Sequence, residues 1–157
     1  MRSSDDVHAH LTTRGIPHEI IRVPSSCRTA QLAAEALEVG VEAVVKSLLF
    51  VLDDERPLLA LVTGDVTVDA GALARETGAR DVRLARAAEV VELTGYRPGA
   101  VSPCALATDV PIVADPGVFT PEVVYCGGGT TETMLRIGSS ELAALLEPTT
   151  RPIAARR

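Results

Sequence analysis

Aromatic side chains are nearly absent: the 157 residues include two Tyr, two Phe and no Trp, 3% in all. A protein that holds single-stranded nucleic acid on stacking platforms needs such rings, so that class of binder is excluded and the core must be aliphatic. Positive charge is in deficit, with 15 Lys and Arg against 21 Asp and Glu and a net charge of −6. That sign argues against non-specific binding to phosphate backbones, although a local basic patch can still grip one nucleotide end. Cysteine is sparse. Cys27, Cys104 and Cys126 are odd in number, far apart and without a C-x-x-C pair. Neither a disulfide framework nor a cysteine zinc site is expected, and the setting implied is a reducing, cytoplasmic one. No apolar run approaches the roughly 18 residues of a membrane span, and Met1 to His10 has no apolar h-region, so neither a membrane partner nor a signal peptide is expected.

What the chain does have is aliphatic bulk. With 46% hydrophobic and 23% charged residues it is composed as one globular domain over residues 1–157, and disorder is excluded. Cap residues and glycine stops predict helices over residues 3–14, 29–39, 69–77 and 87–94, and a last one from Ser139 or Ser140 to about Glu147. Strands are predicted at 18–23, 44–52, 57–63, 82–84, 112–114, 123–126 and 133–137. The run 44–52 is apolar on both alternating faces apart from Lys46 and Ser47, the pattern of a strand covered on both sides. Turns fall at 53–56, 115–117 and 127–129, residues 95–103 read as a structured Pro/Gly loop, and residues 148–157 as a frayed tail. Helices interspersed among hairpins predict a mixed α/β domain of the α+β class.

Lys46 is the most informative residue, because the chain carries fourteen arginines and this single lysine, set in a run of Val, Leu and Phe. It reads in two ways: a strand-end lysine snorkelling to water over its apolar stem, or a point charge at a cleft rim that meets a phosphate or carboxylate. Two glycine loops also read in two ways. Gly95 and the triple glycine Gly127–Gly129 serve as a helix C-cap and a hairpin turn, or, with Gly99–Pro103, they bring backbone N–H groups close to a ligand. Neither loop matches a phosphate-cradling motif. Ser102 and Cys104 lack a neighbouring histidine or a nucleophile elbow, and His8 and His10, two apart on a helix, point to different sides, so no metal site is expected. Arg75, Arg80, Arg83 and Arg86 form the one local concentration of positive charge, read as a solvated surface with RNA-backbone docking as its alternative; Asp53, Asp54 and Glu55 read as a solvated hairpin tip.

In order along the chain stand V-V-K-S-L-L-F, L-V-T-G-D, T-G-Y-R-P-G-A-V-S-P and V-Y-C-G-G-G. From residue 17 to 146 this series resembles the YbaK family of aminoacyl-tRNA deacylases, free-standing relatives of the editing domain inserted in bacterial prolyl-tRNA synthetases. The resemblance implies a curved, mixed, barrel-like β-sheet wrapped by helices, and hydrolysis of the ester between a wrong amino acid and the tRNA 3′ end, with no cofactor. It matches Lys46 to the lysine that contacts the terminal phosphate, and Gly99 and Pro103 to the G-x-x-x-P loop that shapes the amino-acid pocket. The residues so implicated are Lys46, Gly127 and Gly128 for catalysis, and Gly99, Ala100, Val101, Ser102, Pro103, Cys104 and Gly129 for substrate. Two departures bear on substrate choice: Thr130–Thr133 after the glycine turn carries no basic residue, and Cys104 replaces an aromatic, which predicts an enlarged pocket.

The expected function is a trans-acting deacylase of mischarged tRNA bearing a small amino acid, tRNA(Pro) being the expected carrier, with a synthetase as a further partner. Two alternatives stand beside it. One is a non-catalytic module that uses the same cleft to hold aminoacyl-tRNA, a nucleotide or a synthetase surface; the other is a hydrolase of other activated esters that uses Ser102 or Cys104 as nucleophile.

Overall fold

The doubly apolar run at 44–52 becomes the central strand of the computed structural model, which describes residues 1–155. In chain order the elements are α1 (Ser4–Thr13), β1 (His18–Arg22), α2 (Ala30–Leu37), β2 (Val45–Leu52), β3 (Arg56–Thr63), β4 (Thr67–Val68), α3 (Ala70–Thr77), β5 (Val82–Leu84), α4 (Ala87–Thr94), β6 (Ile112–Ala114), β7 (Val123–Gly127), β8 (Thr133–Gly138), α5 (Ser139–Leu146), β9 (Thr149–Thr150) and β10 (Ala154–Ala155). The mixed α/β class is therefore the observed one. The strands divide into a five-stranded sheet ordered β5-β2-β3-β6-β9, a three-stranded sheet β1-β8-β7 and the pair β10-β4, in place of a single barrel-like sheet. A parallel bridge from Val44 to Tyr125 brings the two larger sheets together beside the start of β2.

Strand periodicity explains why β2 and β3 are apolar on both sides. Val45, Leu49, Leu59 and Leu61 face one cluster, which also holds Val7, Leu11, Tyr96, Cys104, Cys126, Leu135 and Leu142. Phe50, Leu52, Leu58, Ala60 and Val62 face the other, with Leu73, Val113 and Ile153.

Helix starts follow their cap residues. Ser3 and Asp6 form a capping box on α1, the Thr29 hydroxyl accepts from the Leu32 N–H, and the Asp69 carboxylate accepts from the Ala72 N–H. Helix α5 departs from this: its cap is Gly138, with no side-chain hydrogen bond, and Ser139 is already helical and buried.

The tail is ordered where fraying was expected. β9 pairs with β6, β10 pairs with β4, and Ile153 is fully buried. The buried Asp115 carboxylate holds it, accepting from the Ile153 and Ala154 N–H groups at 3.1 Å each and from Gly117 at 3.2 Å. Arg156 and Arg157, also assigned to that tail, lie outside the described residues.

The hairpin tip is likewise structural. Asp53 accepts from the Arg80 and Asp81 N–H groups at 2.9 Å each and pairs with Arg56 at 2.9 Å, and these bonds, the Asp81 N–H foremost, lower its pKa. Among the described residues, no helix is long and apolar enough to cross a membrane.

Candidate active site

Lys46 is the second residue of β2 and lies half-buried at the mouth of the sheet. Its Nζ donates to the Val66 carbonyl in the turn between β3 and β4, so the ammonium is fixed by the backbone instead of trailing into solvent. Around it is a cavity of about 480 Å³, within the usual range for small-molecule sites.

Four of the residues expected at the site line this cavity together: Lys46 from β2, Gly99 and Val101 from the loop after α4, and Gly127 from the end of β7. Their meeting depends on Gly127. A Cβ there would stand 2.1 Å from the Val101 carbonyl oxygen, so only glycine lets the β7 end and the 99–101 loop close on each other. Gly99 has φ +86°, and its missing side chain leaves open space in the lining.

The other expected residues lie elsewhere. Ala100, Ser102 and Cys104 are at most 1% exposed, and buried Pro103 borders a different groove beside α5. The cause is Tyr96, whose phenol donates to the Cys104 carbonyl at 2.6 Å and the Ala105 carbonyl at 3.2 Å, turning the second half of the loop into the core. Cys104 therefore enlarges no pocket. Gly128 spends its N–H on the Thr133 carbonyl at 3.2 Å, and Gly129, at φ +102°, packs against the backbone of Ser3 and Ser4 and lies outside this cavity.

Neither proposed nucleophile is presented to the cavity. Burial pushes the Cys104 thiol up to about 12, and fully buried Cys126 is raised as well. The Ser102 hydroxyl accepts from the Cys104 N–H at 3.2 Å inside the core.

Sequence reasoning missed several lining residues. Cys27 to Gln31, spanning the entrance to α2, form one wall, with Gly64 and Met134 further round. The Thr29 cap was the visible signal for the first of these. Ser47, passed over as an interruption of the apolar run, lines the cavity with a buried Oγ that has no hydrogen-bond partner.

Outside the cavity, His8 Nδ1 and His18 Nε2 lie 2.9 Å apart, and His18 Nδ1 contacts the Ile16 carbonyl at 2.8 Å. Among the described residues no group of three or more His, Cys, Asp or Glu is placed to hold a metal. In the sequence-local arginine cluster, Arg83 is matched by Asp54 at 2.9 Å and Glu89 at 2.8 Å.

Comparison with known proteins places these features in a family. Residues 24–145 match the model described as the aminoacyl-tRNA editing domain. The chain is 36% identical over 110 residues to the proline–tRNA ligase of Shouchella clausii, covering 70% of this chain and 19% of that one. It thus spans about a fifth of that ligase. It is 26% identical over 141 residues to the uncharacterized protein YwhH of Bacillus subtilis, covering 90% and 89% of the two chains. Among solved structures, it superposes with a TM-score of 0.89 and 33% identity on a candidate trans-editing enzyme for prolyl-tRNA synthetase, over 98% of this chain and 97% of the other.

Proposed function

Because the chain belongs to the aminoacyl-tRNA editing domain family, we propose that it acts in trans, in the cytoplasm, as a deacylase that removes a wrongly attached small amino acid from the 3′ end of tRNA(Pro). The observation that carries the reading is the convergence of Lys46, Gly99, Val101 and Gly127 on one cavity.

Water adds to the ester carbonyl carbon, the bond from that carbon to the ribose oxygen breaks, and the amino acid leaves as the carboxylate while the ribose hydroxyl regains a proton. An aminoacyl ester is already activated, so positioning and backbone donors supply the acceleration without a protein nucleophile. An ammonium has three donors, so a phosphate oxygen of the terminal nucleotide and the Val66 carbonyl can share Lys46. Val101, Leu48 and Met134 give the pocket its apolar walls. Size selection by such walls is worth only about 1–3 kcal/mol per methylene, so several small amino acids are accepted and the tRNA or a synthetase partner supplies the remaining discrimination.

The test is a panel of tRNAs charged with Ala, Ser, Cys, Thr and Pro, incubated with the protein and with Lys46→Ala while release of labelled amino acid is followed. Turnover of one or two members at substoichiometric protein, lost at least about 10²-fold in a folded Lys46→Ala variant, is expected. Tight binding that leaves the ester lifetime unchanged would instead identify a non-catalytic aminoacyl-tRNA module.

A further inference from the structure

Three arginines from distant points of the chain meet beside this cavity. Arg2 precedes α1, Arg22 ends β1 and Arg97 opens the loop that carries Gly99 and Val101. All three line a second depression of about 470 Å³, together with the Gly129–Thr133 turn. The two depressions are built on the same loop and the same hairpin. Arg97 is two residues, at most about 7 Å of chain, from Gly99. The β7–β8 hairpin gives Gly127 and Met134 to the first depression and Gly129 to Thr133 to the second.

Positive charge here is in excess. Among the described residues the exposed Arg97 guanidinium has no ion pair or side-chain hydrogen bond. Arg22 reaches only Glu132, at 3.8 Å with the two side chains 85% and 56% exposed, and a pair so long and so wet holds little. Glu132 is the one acidic side chain in this lining, against three guanidiniums; Asp6, which caps α1 by accepting from the Ser3 N–H at 2.8 Å, borders Arg2 in a separate depression. The contrast is with Arg56, Arg83 and Arg151, which pair with Asp53, with Asp54 and Glu89, and with Glu76.

We propose that the Arg2, Arg22 and Arg97 depression seats phosphates of the RNA strand leading to the 3′ end, and that it sets the affinity for tRNA as a body, apart from the aminoacyl end. Guanidinium forks suit phosphate oxygens, and such contacts position a strand without reading its bases. On a protein of net charge −6 this patch supplies the local attraction that the whole chain lacks. The inference rests on the first cavity holding the aminoacyl end, as proposed above.

The experiment measures binding of uncharged tRNA(Pro) as a function of salt, in parallel with deacylation of Ala-tRNA(Pro) and of alanine esterified to a short CCA oligonucleotide. The double variant Arg22→Gln/Arg97→Gln, which keeps most of both side-chain stems, is compared with Arg80→Gln/Arg86→Gln from the other arginine cluster. The first should weaken tRNA binding by about tenfold at low salt, flatten the log–log salt slope by about 1.5, and shrink the kinetic advantage of tRNA over the short ester; the second should change none of these. An unchanged slope in the first variant, or equal losses in both, overturns the proposal. If the unsubstituted protein hydrolyses neither ester while the binding loss is still confined to the first variant, the deacylase reading fails and the phosphate seat stands.

Discussion

Replacing Gly127 by alanine tests whether the site is built by the close approach of two loops. The new Cβ would stand 2.1 Å from the Val101 carbonyl oxygen and 2.9 Å from its carbonyl carbon. An ordinary carbon–oxygen contact is about 3.3 Å, so one loop must retreat by roughly 1 Å. Gly127 is outside the left-handed region, so alanine adds no backbone strain and the effect is steric. Overpacking of this kind costs about 1–3 kcal/mol, which lowers Tm by roughly 2–12 °C in a chain of this size. A displacement of about 1 Å at the reacting groups costs on the order of 10²-fold in rate. Differential scanning calorimetry and single-turnover deacylation read the two effects separately. Gly99→Ala is the control: its Cβ meets nothing within 4 Å, but φ +86° makes any side chain strained by about 1–2 kcal/mol. It should lose comparable stability and far less activity. A Gly127→Ala protein with native melting and native rate would refute the closure argument, and an equal rate loss in Gly99→Ala would assign the effect to stability alone.

Cys104, held up to about 12 by burial, and fully buried Cys126, also raised, are protonated at pH 8, with roughly one Cys104 in ten thousand as thiolate. A disulfide-exchange reagent should therefore titrate one thiol in the native protein, Cys27 in the cavity wall, and three after denaturation, and labelling Cys27 should inhibit deacylation. Asp115→Ala removes three hydrogen bonds from a buried carboxylate and should cost about 3 kcal/mol, with limited proteolysis releasing the chain beyond α5. Glu89 is held at about 2, below its ordinary 4.5, chiefly by Arg83 and then by the Arg86 N–H. A depressed carboxylate stabilises the fold above its unfolded pKa and stops doing so as pH falls through the folded one. Glu89→Gln should thus be less stable than the native protein at pH 7, and chemical denaturation should show the gap closing between about pH 4.5 and pH 2.

The elements readable in the sequence are those whose determinants are local. Ser3, Thr29 and Asp69 announce helices because the donors they accept from are two or three residues away, and β2 announces burial on both faces because alternation is a property of one strand. The tail misled because its order comes from Asp115 and Thr67–Val68, far upstream, while its own Pro, Thr and Arg residues resemble a loose end. The G-x-x-x-P loop was legible as a segment of the candidate site, and Gly99 and Val101 do line the cavity, but its orientation was not legible. The second half of the loop is held in the core by the Tyr96 phenol, which donates back to the Cys104 and Ala105 carbonyls, contacts invisible in any spacing rule.

Charge shows the same division between sequence and space, and there the difference reaches function. Arg83 sits among other arginines in sequence, yet the hairpin turn brings Asp54 and the next helix brings Glu89 onto it. The folded surface thus matches Arg83, the middle of that run, with two carboxylates that lie apart from it in sequence. Arg2, Arg22 and Arg97 are unremarked in sequence because 20 and 75 residues separate them; they meet because β1 pairs with β8 and the hairpin that β8 closes rests on Ser3 and Ser4. Here, then, a group of positive charges is assembled by the ends of separate elements. On the proposed reading, a tRNA strand whose aminoacyl end enters the cavity beside Lys46 would pass over these three guanidiniums.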